Sequence, residues 1–197
     1  MKLYGTTTSP FVRRVRVVAA ELGEPVDRVD TAGDAGLARL REVSPIAKVP
    51  VAVIDGRTVF DSRAIMDWLI ATRGYGELTP PRDRWREQNL LHAIDAALDS
   101  IVQVFLLRRD GVAVDGSVFA SRQLDRADAI FAWLATQLAP DRQTFDRGFG
   151  LAELALICAL DWMDFRASYP TERASPLAAV RAAWSQRASL IATRPHT

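Results

Sequence analysis

The chain has 197 residues, 49% hydrophobic and 25% charged, with a net charge of +1. This balance is ordinary for a globular protein, and it leaves no strong field to draw nucleic acid or an anionic membrane towards it. A single cysteine, Cys158, rules out an internal disulfide framework and any Cys-x-x-Cys redox motif. Basic charge is almost all arginine, with only Lys2 and Lys48 as lysines. The first residues, Met1-Lys2-Leu3-Tyr4-Gly5-Thr6, turn polar at once, and the longest apolar runs, around Leu154–Leu160, fall short of a membrane span. A cytoplasmic protein is the expectation. There is no internal repeat or low-complexity tract.

The first half alternates β-like runs with helical patterns. Lys2–Tyr4 reads as a short strand. Ser9-Pro10 opens a helix, with serine as N-cap and proline at the first helical position. Val12, Val15, Ala19 and Leu22 recur at helical spacing, and Gly23 ends the pattern. Val26–Val29 is a second strand, Leu37–Val43 a weaker helix, and Ser44-Pro45 its stop. Val51–Ile54 and Arg57–Phe60 flank Asp55-Gly56, the pair that favours a tight hairpin because both turn residues need positive φ. Asp61 or Ser62 then caps a helix running to about Thr72.

Gly74-Tyr75-Gly76-Glu77-Leu78-Thr79-Pro80-Pro81 marks a domain boundary. Beyond it every periodic segment is helical: Arg84 to about Arg109, Asp115–Leu138, Leu151–Arg166, and a last helix from Ser175 or Pro176 towards Thr193. Pro140–Gly148 reads as loop, and Leu151–Arg166 is apolar enough to form the centre of its domain. A crossover helix implies a parallel strand pair, and the hairpin adds an antiparallel one. The expected architecture is a mixed four-stranded sheet with flanking helices over residues 1–75, followed by an all-α domain over 83–197.

Three motifs then converge in order: Ser9-Pro10-Phe11-Val12-Arg13-Arg14-Val15-Arg16, Lys48-Val49-Pro50-Val51, and Asp61-Ser62-Arg63-Ala64-Ile65. With Gly150-Leu151-Ala152-Glu153, which is similar to the capping box of the family's central helix, the chain resembles the glutathione S-transferase superfamily over essentially its whole length. The serine-type motif stands at the first helix. Two departures stand out. Asp61 occupies a position usually held by glutamate or glutamine, and Gly150 one usually held by serine or threonine.

The resemblance implies a thioredoxin-like N-terminal domain and an all-helical C-terminal domain. It also implies glutathione as co-substrate, a small electrophile as second substrate, and a homodimer. A free thiol has a pKa of ~8.5 and is mostly protonated at neutral pH. A helix N-terminus and a donated hydrogen bond both favour the thiolate. On this implication Ser9 is the catalytic hydroxyl, with Thr7 and Thr8 as rivals. Read from residue type alone, Ser9 is equally an N-cap. The resemblance makes Val49-Pro50 a cis bond that exposes Val49 for strand-like pairing with the ligand's cysteinyl backbone. Asp61 would take the ligand's ammonium and Ser62 its head-group carboxylate, although both also suit helix capping. Lys48 would reach the glycyl carboxylate or lie solvated.

Other residues read as structural. Cys158 belongs in a core, and Trp133, Trp162 and Trp184 are expected as packing residues in amphipathic helices. His92 and His196 lack partners at ligand spacing, so no metal is expected. Arg13, Arg14 and Arg16 face three directions of the first helix and make no nucleic-acid patch. The main alternative to a transferase is a non-catalytic binding or regulatory protein on the same fold. A disulfide oxidoreductase is disfavoured because no cysteine lies at the first helix.

Overall fold

In the computed structural model, which describes residues 1–141 and 143–196, the first half forms four strands. They are Lys2–Tyr4 (β1), Asp27–Val29 (β2), Val51–Ile54 (β3) and Arg57–Val59 (β4). They make one sheet in the order β2-β1-β3-β4. β1 and β2 pair in parallel, as a crossover helix between them requires. β3 runs antiparallel to both neighbours. Asp55 and Gly56 both take positive φ, 51° and 76°, so the hairpin turn is the one that the Asp-Gly pair favours.

Three helices accompany the sheet: Pro10–Glu21 (α1), Gly33–Val43 (α2) and Ser62–Arg73 (α3). α2 begins four residues before the expected Leu37. Its N-cap is Ala32, which has no side chain to bond the first turn, so the start carried no capping signal. Asp61 is the N-cap of α3, accepting the Arg63 N–H at 2.9 Å. Leu3, Val12, Val15, Val18, Val51, Ile54, Ile65 and Leu69 are buried and form the core between sheet and helices.

The chain divides into two compact units, Met1–Pro80 together with the segment from Gln186 onward, and Pro81–Ser185. The helical unit therefore closes at Ser185, before the limit of the 83–197 span read from periodicity. The expected last helix is interrupted. A 3₁₀ segment, Thr171–Leu177, leads into Ala178–Trp184 (α7), and a separate helix, Ala188–Ala192 (α8), follows. Arg187 between them is extended, with φ −66° and ψ 130°. Its guanidinium is held by Glu21 of α1, which draws the chain out of the helix. Arg142, in the expected 140–148 loop, and Thr197, at the limit of the expected domain, lie outside the described residues.

The second unit is built on Arg84–Arg109 (α4), Val118–Thr136 (α5) and Leu151–Arg166 (α6). By length and composition α4 could cross a membrane, although the longest apolar runs of the sequence lie elsewhere. A core helix has the same composition. Here Leu90, Leu91, Ile94, Ala97, Leu98, Ile101 and Val104 are buried, and α4 packs on α5 and α6. α6 is the centre of its unit, buried continuously from Leu151 to Leu160, with Cys158 among its core residues. Trp162 sits edge-on to Phe105 with ring centroids 5.3 Å apart, and Trp184 lies at the same distance from Phe149. Trp133 departs from expectation at 42% exposed. The buried stripe of α5 runs through Ala120, Gln123, Ala127, Phe131 and Leu134, and residue 133 falls off it.

At the start of α6, Gly150 has no side chain to offer, so only half of a capping box exists. Glu153 supplies that half. Its carboxylate accepts the Gly150 N–H at 3.0 Å and the Phe145 N–H at 2.7 Å. Burial pushes the Glu153 carboxyl above its ordinary range, against the lowering effect of the backbone N–H bonds. Glu153→Ala would strand two buried donors, each costing ~1–3 kcal/mol. A stability loss of about 2–4 kcal/mol in urea denaturation is expected, with Glu153→Gln losing less because its carbonyl still accepts one bond.

Candidate functional site

Sheet register brings the three motifs to one end of the first unit. β1 runs antiparallel to β3 with Tyr4 opposite Val51, so the loop leaving β1 emerges beside the entry to β3. β4 lies on the other side of β3 with Val59 opposite Ala52, so Phe60–Ser62 also leaves at that end. Gly5–Ser9, Val49–Pro50 and Asp61–Ser62 are thus neighbours by topology, with the N-termini of α1 and α3 among them. Gly5 is required where it stands, since a Cβ there would lie 2.3 Å from a Val12 methyl.

Ser9 is the N-cap of α1. Its Oγ accepts the Val12 N–H at 3.3 Å, and its carbonyl accepts the Arg13 N–H at 2.9 Å. The cap uses a lone pair and leaves the hydroxyl proton, which no described protein group accepts. The neighbouring threonines differ. Thr7 donates to the His196 carbonyl at 2.9 Å, and Thr6 and Thr8 share a hydrogen bond at 3.2 Å. Val49-Pro50 is cis, as the resemblance implied, and Phe60-Asp61 is a second cis bond. Pro50 is buried, Val49 half-buried and Lys48 exposed. Asp61 is exposed and uses one carboxylate oxygen as the cap of α3. Ser62 is buried at the first position of that helix.

Sequence reasoning gave no role to the arginines of α1, and the structure gives each one a contact. Val12, Val15, Val17, Val18 and Ala19 cover most of the helix circumference, so Arg13 and Arg14 are buried at 2% and 3% exposure. Arg14 donates from Nε and Nη2 to Ser62 Oγ, at 3.0 and 2.6 Å. Arg13 donates to the Leu190 carbonyl at 3.2 Å, and Arg16 to the Ala192 carbonyl at 3.4 Å. The usable signal was an arginine cluster on a helix with too little solvent-facing surface to hold it.

The segment after Gln186 therefore returns along α1. Arg187 binds the Glu21 carboxylate through Nε and Nη2, at 2.7 and 2.6 Å, and Ser189 donates to the same carboxylate. Arg187 also donates to the Glu77 carbonyl at 2.8 Å. The segment then passes Arg13 and Arg16 and reaches Thr7 beside the site loop.

Residues 3–79 match the family described as "Glutathione S-transferase, N-terminal domain". The chain is 29% identical over 178 residues to the uncharacterized GST-like protein YibF of Escherichia coli K12, covering 86% of this chain and 85% of that one. It superimposes with a TM-score of 0.85 on a glutathione S-transferase from Methylobacillus flagellatus KT with glutathione bound, at 28% identity and 99% coverage of both chains. A glutathione transferase family member from Pseudomonas fluorescens Pf-5, also with bound glutathione, gives a TM-score of 0.80 at 28% identity, covering 100% of this chain and 99% of that one. The thioredoxin-like sheet, the helical unit that follows it and these likenesses give the chain the glutathione S-transferase fold, and its residues 3–79 match that family's N-terminal domain.

Glu21 yields a pH prediction. Burial alone would raise its carboxyl, but hydrogen bonds from Arg187 and Ser189, with the Arg187 charge, outweigh burial and hold it below the ordinary range. A lowered folded pKa contributes stability above the unfolded value, and that stability is lost as pH falls through the folded one. Arg187→Met leaves a buried carboxylate with burial opposed only by Ser189. A loss of roughly 3 kcal/mol at pH 7 is expected. The gap between variant and parent should start to narrow above pH ~4.3, as the variant's buried carboxyl takes up a proton, and narrow further below it as the parent loses its ion pair. Thermal melts from pH 7 to pH 3 would read this.

Proposed function

We propose that this protein is a glutathione transferase: it binds glutathione at the sheet end described above and joins the thiolate to a small electrophile. The observation that carries the reading is the Ser9 hydroxyl, a helix cap that keeps its proton at the N-terminus of α1. Ser9 donates that proton in a hydrogen bond to the ligand sulfur. The bond favours the thiolate over the thiol, and the positive end of α1 adds to it. Thr7 is the weaker rival because its proton is already given to His196.

The other roles follow from position. Val49, next to the cis bond, offers its backbone to the ligand's cysteinyl unit as an added strand would. Asp61 takes the glutamyl ammonium with its remaining carboxylate oxygen, Ser62 takes the glutamyl α-carboxylate, and Lys48 reaches the glycyl carboxylate. The thiolate attacks the electrophilic carbon, a sulfur–carbon bond forms, and the electron pair moves onto the electrophile or its leaving group. A cytoplasmic location and detoxification of electrophiles belong to the same reading. Glutathione-bound relatives at 28% identity support the ligand.

The test is ultraviolet titration of the bound thiol together with calorimetry. Losing a charge-assisted bond of ~1.5–3 kcal/mol in Ser9→Ala should raise the bound thiol's pKa by about 1–2 while leaving affinity nearly unchanged. Asp61→Asn should do the reverse, weakening affinity and sparing the thiol. Binding with a thiol pKa that no variant moves would favour the non-catalytic reading. The same proposal includes a homodimer, common among closed symmetric oligomers. Light scattering should return twice the chain mass of 21.8 kDa, and a single chain mass at micromolar concentration would contradict it.

A further inference from the structure

Ser62 is committed on one side before any ligand arrives. A serine hydroxyl has two lone pairs and one proton. Arg14 meets the Ser62 oxygen with two donors, Nε at 3.0 Å and Nη2 at 2.6 Å. Both residues are buried, Ser62 at 1% exposure and Arg14 at 3%. The Phe11 ring lies 5.0 Å from the guanidinium carbon and steadies its plane. Both contacts use the oxygen as acceptor and arginine has no acceptor to offer, so the hydroxyl proton is turned away from Arg14. No described residue accepts its proton, although buried O–H groups are normally paired.

We propose that Arg14 is a positioning residue for the ligand's head group. Its fork occupies one side of the Ser62 oxygen, turns the hydroxyl proton away from Arg14 and towards the glutamyl α-carboxylate, and lends that donor positive charge. The arrangement selects for an acceptor at this point of the ligand. A ligand with no carboxylate there leaves the Ser62 proton buried and unpaired. The inference rests on the glutathione reading above and extends it to a residue on a different helix from Ser62.

The experiment is calorimetric titration with two probes, glutathione and γ-aminobutyryl-cysteinyl-glycine, which lacks only the glutamyl α-carboxylate. The proteins are the parent, Arg14→Met, Arg14→Lys, Ser62→Ala and the double variant Arg14→Met with Ser62→Ala. Arg14→Met should weaken glutathione about tenfold and the analogue by less than about twofold. In the Ser62→Ala background, Arg14→Met should cost glutathione little more, because one interaction has already been removed. Should Arg14→Met fail to fold by circular dichroism, Arg14→Lys carries the same comparison, since an ammonium keeps the charge but lacks the planar two-donor fork. Equal losses for the two probes would reduce Arg14 to a packing residue and overturn the proposal. Additive losses in the double variant would overturn it too, as would a parent that does not distinguish the probes. A parent that binds neither probe would overturn the glutathione reading itself, and this inference with it.

Discussion

A guanidinium inside a protein must meet acceptors, because desolvation costs more than an unpaired charge can recover. α1 carries three arginines between valines and alanine that leave it little contact with water. Much of the first unit answers that requirement. Arg14 meets the first residue of α3, while Arg13 and Arg16 meet carbonyls of the segment that returns from Gln186 onward. Glu21, buried at the end of the same helix, completes the attachment by taking Arg187. The helix that presents the Ser9 hydroxyl is thereby held along its length by parts of the chain distant in sequence.

This arrangement suits a site whose contributors are short loops. Gly5–Ser9, Val49–Pro50 and Asp61–Ser62 leave the sheet at one end because of strand register, and each is anchored by an element behind it. Loops placed by rigid scaffolding are where binding groups concentrate. Packed supporting residues hold such loops to close tolerance. The two helix N-termini at that end add donors and positive potential where an anionic ligand would bind.

The helical unit solves a different problem. α6 is buried continuously from Leu151 to Leu160, so the donors at its N-terminus must be satisfied inside the protein. Glu153 does this at the N-terminus, compensating for a glycine that cannot cap. Ala167, in the left-handed region at φ 45°, closes the other end, with its N–H bonded to the Asp164 carbonyl. Arg86 ties α4 to the loop before α6 through the Phe145 and Gln137 carbonyls, at 2.6 and 2.7 Å.

Local chemistry made most of the elements readable from residue order alone. The Asp55-Gly56 turn, the Ser9-Pro10 start, the period of α4 and the apolar run of α6 depend on neighbours a few residues apart, and a linear pattern records such neighbours. It was the family resemblance, and not residue type, that marked Ser9, Val49-Pro50 and Asp61-Ser62 as a group. What only the tertiary structure decided lies in pairings between distant positions. Ser62 meets Arg14 across 48 residues, and Glu21 meets Arg187 across 166. The early start of α2 and the break between α7 and α8 carried little sequence signal, the first for want of a capping side chain and the second because a distant carboxylate holds Arg187. Periodicity reports which face of a helix is apolar. It does not report which buried charge answers which, because that depends on where the fold brings two side chains together.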